Sequence, residues 1–270
     1  MAKNFWSNVN KVITDSDLVM MVLDARIPEL TLNHEIEKKI MKLNKNIIFI
    51  INKCDLIDKK HAEEIKKSIP NSVFISTKKH FGATILKKKI MHFASKKQSN
   101  DDVEIRNRSL IVAVVGYPNT GKSSVINMLA GKGKTKTSSY AGYTKGLQKV
   151  RISPKVMLFD SPGVISFENK DKIKQVILGS LNPANLEDID LYAYELIKYL
   201  NEIIQIHYFD SFDKNLDDEN LLIKISEKFN YKKKGNEFDI NKASEKLILD
   251  WQKGKINMVV CDVLDKSEDF

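Results

Sequence analysis

The residues Gly116, Tyr117, Pro118, Asn119, Thr120, Gly121, Lys122 and Ser123 have the types and spacing of a loop that cradles phosphate. An apolar run, Leu110 to Val115, precedes them and a segment of helical pattern follows, which is the context this loop requires. Glycine lets backbone N–H groups turn inward around phosphate oxygens, and the following helix points its positive N-terminus at the same charge. In such a loop Lys122 reaches the β and γ phosphates, Ser123 places its hydroxyl on Mg²⁺, and Ser124 continues the nucleotide-binding stretch.

Two further motifs follow apolar runs. Asp160, Ser161, Pro162 and Gly163 come directly after Val156 to Phe159. Asp-x-x-Gly alone is a common turn sequence. After a strand and behind a phosphate loop it reads as an aspartate that holds Mg²⁺ through water and a glycine whose N–H meets the γ phosphate. Asn52, Lys53, Cys54 and Asp55 come directly after Ile47 to Ile51 and select the base. Guanine presents N1–H and N2–H₂ donors side by side, and the Asp55 carboxylate can accept both. Adenine has no such pair, and sites built for hydrogen bonds reject analogues lacking them by about 10⁴. Ser76, Thr77 and Lys78, after the next apolar run, form the companion loop that touches the guanine carbonyl.

These motifs need a sheet to hold them. Leu18 to Leu23, Ile47 to Ile51, Val73 to Ile75, Leu110 to Val115 and Val156 to Phe159 read as buried strands. Helical patterns lie between them at 33–43, 58–68, 82–95 and 121–130. The alternation predicts a mainly parallel sheet covered on both faces. The polar stretch 96–107 reads as a surface loop joining two halves of that sheet. After residue 168 apolar residues recur at helical spacing, as in Leu191, Tyr194, Leu196, Ile197 and Leu200, and again across 241–252. The expected organisation is α/β over residues 1–168 and a smaller all-α domain over 172–270.

The motif order is inverted. In Ras-like GTPases the phosphate loop precedes the guanine motif, whereas here Asn52 to Asp55 precede Gly116. The sheet is therefore expected to be circularly permuted, which is feasible where domain ends lie near one another.

With these motifs the chain resembles the YlqF/YawG family of circularly permuted GTPases along nearly its whole length. Further matches are Asp24 to Pro28 at the end of the first strand, Leu129 to Lys132, the set Gly142, Thr144 and Lys145, and Asp250 to Lys255. Ala141 and Leu32 depart from residues common in the family, proline and arginine respectively. The resemblance implies a circularly permuted Ras-like phosphate-loop domain that hydrolyses GTP to GDP and acts in ribosome assembly, on the large subunit through rRNA. It also implies that Thr144 completes Mg²⁺ coordination, with Thr137 as the alternative, and that Lys122, Asn119, Thr144 and Gly163 serve catalysis. Asn119 is the residue that would help hold K⁺. Val164 stands where Ras-like enzymes carry the water-orienting glutamine, which implies slow hydrolysis unless a partner or K⁺ stimulates it. Because the helical part follows Gly163, loss of the γ phosphate is expected to release its tether.

Charge points to a polyanionic partner, nucleic acid or anionic membrane, without choosing between them. Residues 1–168 hold 29 Lys+Arg against 15 Asp+Glu, while residues 169–270 hold 15 against 20. A basic field favours a polyanion. A GTP-dependent binding module on a membrane or protein complex is the competing class. A metabolic phosphotransferase lacks any acceptor-binding motif. No apolar run approaches the length of a membrane span, and the start lacks a leader pattern, so a soluble cytoplasmic protein is expected. A monomer is the separate expectation for its oligomeric state. Cys54 and Cys261 are too few for a disulfide framework. The five histidines show no metal-ligand spacing, and Trp251 reads as core.

Overall fold

The computed structural model describes residues 2–99, 105, 107–131, 148–160 and 172–259. The chain forms two compact units, one of Met1–Asp55 and Lys59–Lys170, the other of Leu56–Asp58 and Asp171–Phe270.

The first unit is built on six strands: β1 (Leu18–Asp24), β2 (Asn46–Asn52), β3 (Val73–Phe74), β4 (Leu110–Val115), β5 (Gln148–Ser153) and β6 (Val156–Asp160). They form one sheet in the order β3-β2-β1-β4-β6-β5. All neighbours are parallel except β5 and β6. Its described helices are α1 (Ala2–Asp15), α2 (Pro28–Thr31), α3 (His34–Lys42), α4 (Lys59–Ser68), α5 (Ala83–Gln98) and α6 (Lys122–Ala130).

The apolar runs become central strands because both faces are covered. Leu18, Met20, Val22, Ile48, Ile50, Val112 and Val114 share one core with Leu86, Ile90 and Ala94 of α5 and Val125, Ile126 and Leu129 of α6. The alternate residues Val19, Met21, Leu23, Ile51, Ala113 and Val115 are equally buried. They line the other face, where α1 packs on β4 and α3 on β2.

Connectivity sets the site. The chain steps from β1 to β2 to β3 in one direction, then returns through α5 to place β4 on the far side of β1. This reversal makes the β1/β4 junction a topological switch point, and ligands of open α/β sheets bind beyond the carboxyl ends of the strands at such points.

Three features differ from the sequence reading. Helix α1 is an added element, held by the buried residues Val9, Val12 and Ile13. Strand β5 is a sixth strand, antiparallel at the edge. Helix α5 runs on through Gln98, so the first residues of the stretch read as loop are helical; Lys96 and Lys97 suit a helix C-terminus, and Lys97 pairs with Asp17 at 2.7 Å.

In the second unit α7 (Lys172–Ile177), α8 (Ile189–Phe209), α9 (Asp218–Lys228) and α10 (Ile240–Gln252) surround buried Leu196, Ile204, Leu221, Ile225 and Leu247. Asp217 and Asp239 cap α9 and α10 through their side chains. Trp251 is fully buried and donates its indole N–H to the Ile177 carbonyl at 2.9 Å. Buried Asp250 accepts from the Tyr208 hydroxyl at 3.0 Å and pairs with Lys246 and with Lys255, the latter at 2.8 Å.

Candidate guanine-nucleotide site

The phosphate loop leaves β4 at Gly116 and enters α6 at Lys122, so the positive end of α6 faces the loop. Buried Lys122 donates from Nζ to the Tyr117 carbonyl at 2.8 Å, and Thr120 donates its hydroxyl to the same oxygen at 2.9 Å. Pro118 and Asn119 form the turn between them, with Asn119 at φ 59°. Ser123 and Ser124 occupy the first turn of α6. Gly121, at φ 95°, admits no side chain: a Cβ there would lie 2.2 Å from Nδ2 of Asn52.

That contact is where the guanine motif meets the phosphate loop. Asn52 ends β2, buried, and donates from Nδ2 to the Thr120 carbonyl at 2.7 Å. Its Oδ1 accepts from the Thr77 N–H at 3.4 Å, and its backbone carbonyl accepts from the Ala25 N–H at 2.8 Å. One side chain thus joins the guanine loop, its companion loop and the phosphate loop. Ser76 is buried and accepts from the Lys79 N–H at 2.9 Å, while Lys78 is exposed. The Cys54 N–H bonds the Ile75 carbonyl at 3.2 Å, which sets the short helical turn carrying Asp55 beside the companion loop.

An ionic triad of buried Asp24 and Arg26 with half-buried Lys53 supports this loop from the end of β1. Asp24 accepts from Nε of Arg26 at 3.1 Å and Nη2 at 2.9 Å, and from Nζ of Lys53 at 2.6 Å. Burial by itself would raise the Asp24 pKa. The charges and hydrogen bonds of Arg26 and Lys53 outweigh it and hold the carboxyl well below the usual range. Burial also pushes the Lys53 ammonium down, against the opposing pull of Asp24. The Cys54 thiol is pushed up to about 11 by burial and by neighbouring Asp55. The roles of Asp24 and Arg26 are not legible in the linear pattern, whose one signal is an acid at a strand end two residues before an arginine.

The backbone of Asp160 ends β6, and its register partner is Val114 of β4, near the start of the phosphate loop. Gly163, Thr144, Thr137, Gly142, Lys145 and Val164 lie outside the described residues. Among the described residues no group of His, Cys, Asp or Glu forms a metal cluster, and His34 is engaged with Glu37.

A nucleotide-binding α/β domain with a permuted strand order is what this fold and loop arrangement define. Residues 111–225 match the family described as the 50S ribosome-binding GTPase. An uncharacterized GTP-binding protein of Methanocaldococcus jannaschii is 39% identical over 97% of this chain and 68% of its own length. The nuclear/nucleolar GTPase 2 of Oryza sativa subsp. indica is 31% identical over 96% of this chain. The nucleolar GTP-binding protein 2 of Pneumocystis carinii is 31% identical over 94%. The chain spans about half the length of these two nucleolar relatives, 48% and 53%. GDP-bound YlqF from T. maritima has a similar fold, with a TM-score of 0.64 at 23% identity over 92% of this chain and 95% of that one. The chain belongs to the YlqF/YawG family of circularly permuted GTPases.

Proposed function

We propose that the chain binds GTP and hydrolyses it to GDP and phosphate, and that this cycle is a switch in ribosome assembly acting on the large subunit through rRNA. The Asn52–Thr120 hydrogen bond carries the nucleotide part of the reading, because it locks a guanine-selecting loop onto a phosphate loop at the switch point of the sheet. The names of the matched relatives and the excess of positive charge over residues 1–168 support the ribosomal part.

In this reading Asp55 pairs with the guanine N1–H and N2–H₂, while Ser76, Thr77 and Lys78 border the carbonyl edge. Gly116 to Gly121 wrap the phosphates. Lys122 exchanges its bond to the Tyr117 carbonyl for the β and γ phosphates, which places a cation where negative charge develops. The hydroxyl of Ser123 on α6 and the carboxylate of Asp160 at the end of neighbouring β6 are hard oxygen donors of the kind Mg²⁺ takes. These two, with Thr144, would hold the ion, which would supply charge neutralisation between the β and γ phosphates. Gly163 supplies an N–H to the γ phosphate, and Asn119 is assigned to K⁺.

The nucleotide domain is taken as residues 1–168 and the helical domain as 172–270, acting as a monomer in the cytoplasm. Among the described residues no helix is long and apolar enough to cross a membrane.

Cosedimentation with each ribosomal subunit, in GDP and in a non-hydrolysable GTP analogue, tests the whole reading. Turnover assays in Na⁺ and in K⁺ run beside it. The expected result is nucleotide-dependent binding to the large subunit and slow hydrolysis that K⁺ or the subunit accelerates. Equal ATP and GTP binding, or association with anionic vesicles in place of subunits, would overturn it.

A further inference from the structure

The charge of the first unit is concentrated in one stretch of chain. Residues 66–100 contain nine lysines and no aspartate or glutamate. Lys89 is engaged with the Asn71 carbonyl and Lys97 with Asp17. Lys78, Lys79, Lys87, Lys88 and Lys96 are exposed.

Within this stretch the turn after the companion loop is stiffly built. Ser76 and Phe81 exchange backbone hydrogen bonds, N–H of Ser76 to Phe81 at 3.2 Å and the reverse at 3.0 Å. The hydroxyl of Ser76 accepts from Lys79 inside the turn. His80 sits at φ 54°, and Gly82 at φ 80° packs so closely that a Cβ would lie 2.3 Å from the Phe74 carbonyl oxygen. The turn therefore holds Phe81 outward, 56% exposed, although a ring of this size is ordinarily driven into the core. Helix α5 continues the surface. Its inward side carries Leu86, Ile90 and Ala94, while Ile85, 58% exposed, and exposed Lys88 and His92 follow Phe81 at helical spacing.

We propose that the turn Lys79–Phe81 and the outward side of α5 form a docking surface for single-stranded RNA, with Phe81 stacking on an unpaired base. An exposed, rigidly presented aromatic ring among cations without acidic neighbours in sequence is the pairing that single strands use: lysines track phosphates and the ring takes a base. Duplex RNA keeps its bases stacked inside and offers the ring nothing. An acidic protein would satisfy the lysines but has no base to stack on Phe81. The inference rests on the RNA part of the proposed function and is independent of the GTP part.

The test is fluorescence anisotropy of a labelled short oligouridylate with the full chain, titrated over a range of salt. Phe81→Ala should weaken binding by about tenfold, within the range for one stacked base, with an unchanged salt slope and unchanged GDP affinity. Lys79→Ala with Lys88→Ala should instead lower the slope of log affinity on log salt by about 1.4, two single-strand phosphate contacts. A matched RNA duplex should bind more weakly and be indifferent to Phe81→Ala. Wild-type affinity in Phe81→Ala overturns the proposal, as does equal competition by polyglutamate or a parallel loss of GDP affinity. If subunits still cosediment while Phe81→Ala changes nothing, the stacking surface fails and the proposed function stands.

Discussion

The side-chain amide of Asn52 donates a hydrogen bond to the carbonyl oxygen of Thr120 at 2.7 Å, joining loops whose residues stand 68 positions apart. The bond is buried, and the same side chain accepts from Thr77. Asn52→Ala leaves the Thr120 carbonyl without this donor, a loss that costs about 1–3 kcal/mol. Urea unfolding should show that loss, and GDP affinity should fall because two loops of the site lose their common anchor. Wild-type behaviour in both measurements would remove the assigned role.

Guanine selectivity is expected to reside in Asp55. Asp55→Asn should weaken GTP and favour the xanthine nucleotide, whose 2-oxo group accepts a hydrogen bond where guanine donates one. Competition between nucleotides on both proteins decides it. An Asp55→Asn protein that keeps guanine preference counts against the assignment.

Asp24 is predicted to matter through the charges it balances. Asp24→Ala would take the paired carboxylate away from buried Arg26 and half-buried Lys53, and removing one partner of a buried ionic group costs about 3–5 kcal/mol. The Asp24 carboxyl is held below its usual value of 3.8, so its folded pKa lies under its unfolded one. Its contribution is therefore fully present above the unfolded value and is lost as pH falls below it. The stability difference between wild type and Asp24→Asn should be flat near neutrality and should shrink in acid, below the ordinary aspartate range. A difference that grows as pH falls there would reverse the sign and refute the triad.

Cys54 should be a slow nucleophile. With its thiol pKa at about 11, little thiolate exists near neutral pH, and thiolate is the reactive form. In a Cys261→Ser protein, iodoacetamide should label Cys54 more slowly than it labels free cysteine at pH 8, with the rate still rising well above the free-thiol pKa. Labelling as fast as free cysteine would contradict the environment described for this loop.

The sequence by itself determined which motifs stand at the strand ends. A phosphate loop, a guanine motif and an Asp-x-x-Gly each occupy a few adjacent residues, and glycine backbone freedom and carboxylate or lysine chemistry act locally, so a linear pattern reveals them. The order of those motifs alone announced the permutation. Tertiary structure decided which strands become neighbours, and with that the seating of Asn52 on Thr120 against side-chain-free Gly121. It also decided that Asp24, Arg26 and Lys53 share one ionic triad, since only the parallel pairing of β1 with β2 sets Asp24 beside Asn52. Helix α1 escaped the pattern because asparagine, threonine and valine are indifferent helix formers; burial of Val9, Val12 and Ile13 overrides propensity there. Strand β5, QKVRIS, escaped because an edge strand with polar and charged residues carries little apolar signal. Its place is set by the ladder it forms with β6, since hydrogen bonding between segments depends on their meeting in space and leaves no mark on neighbouring residues.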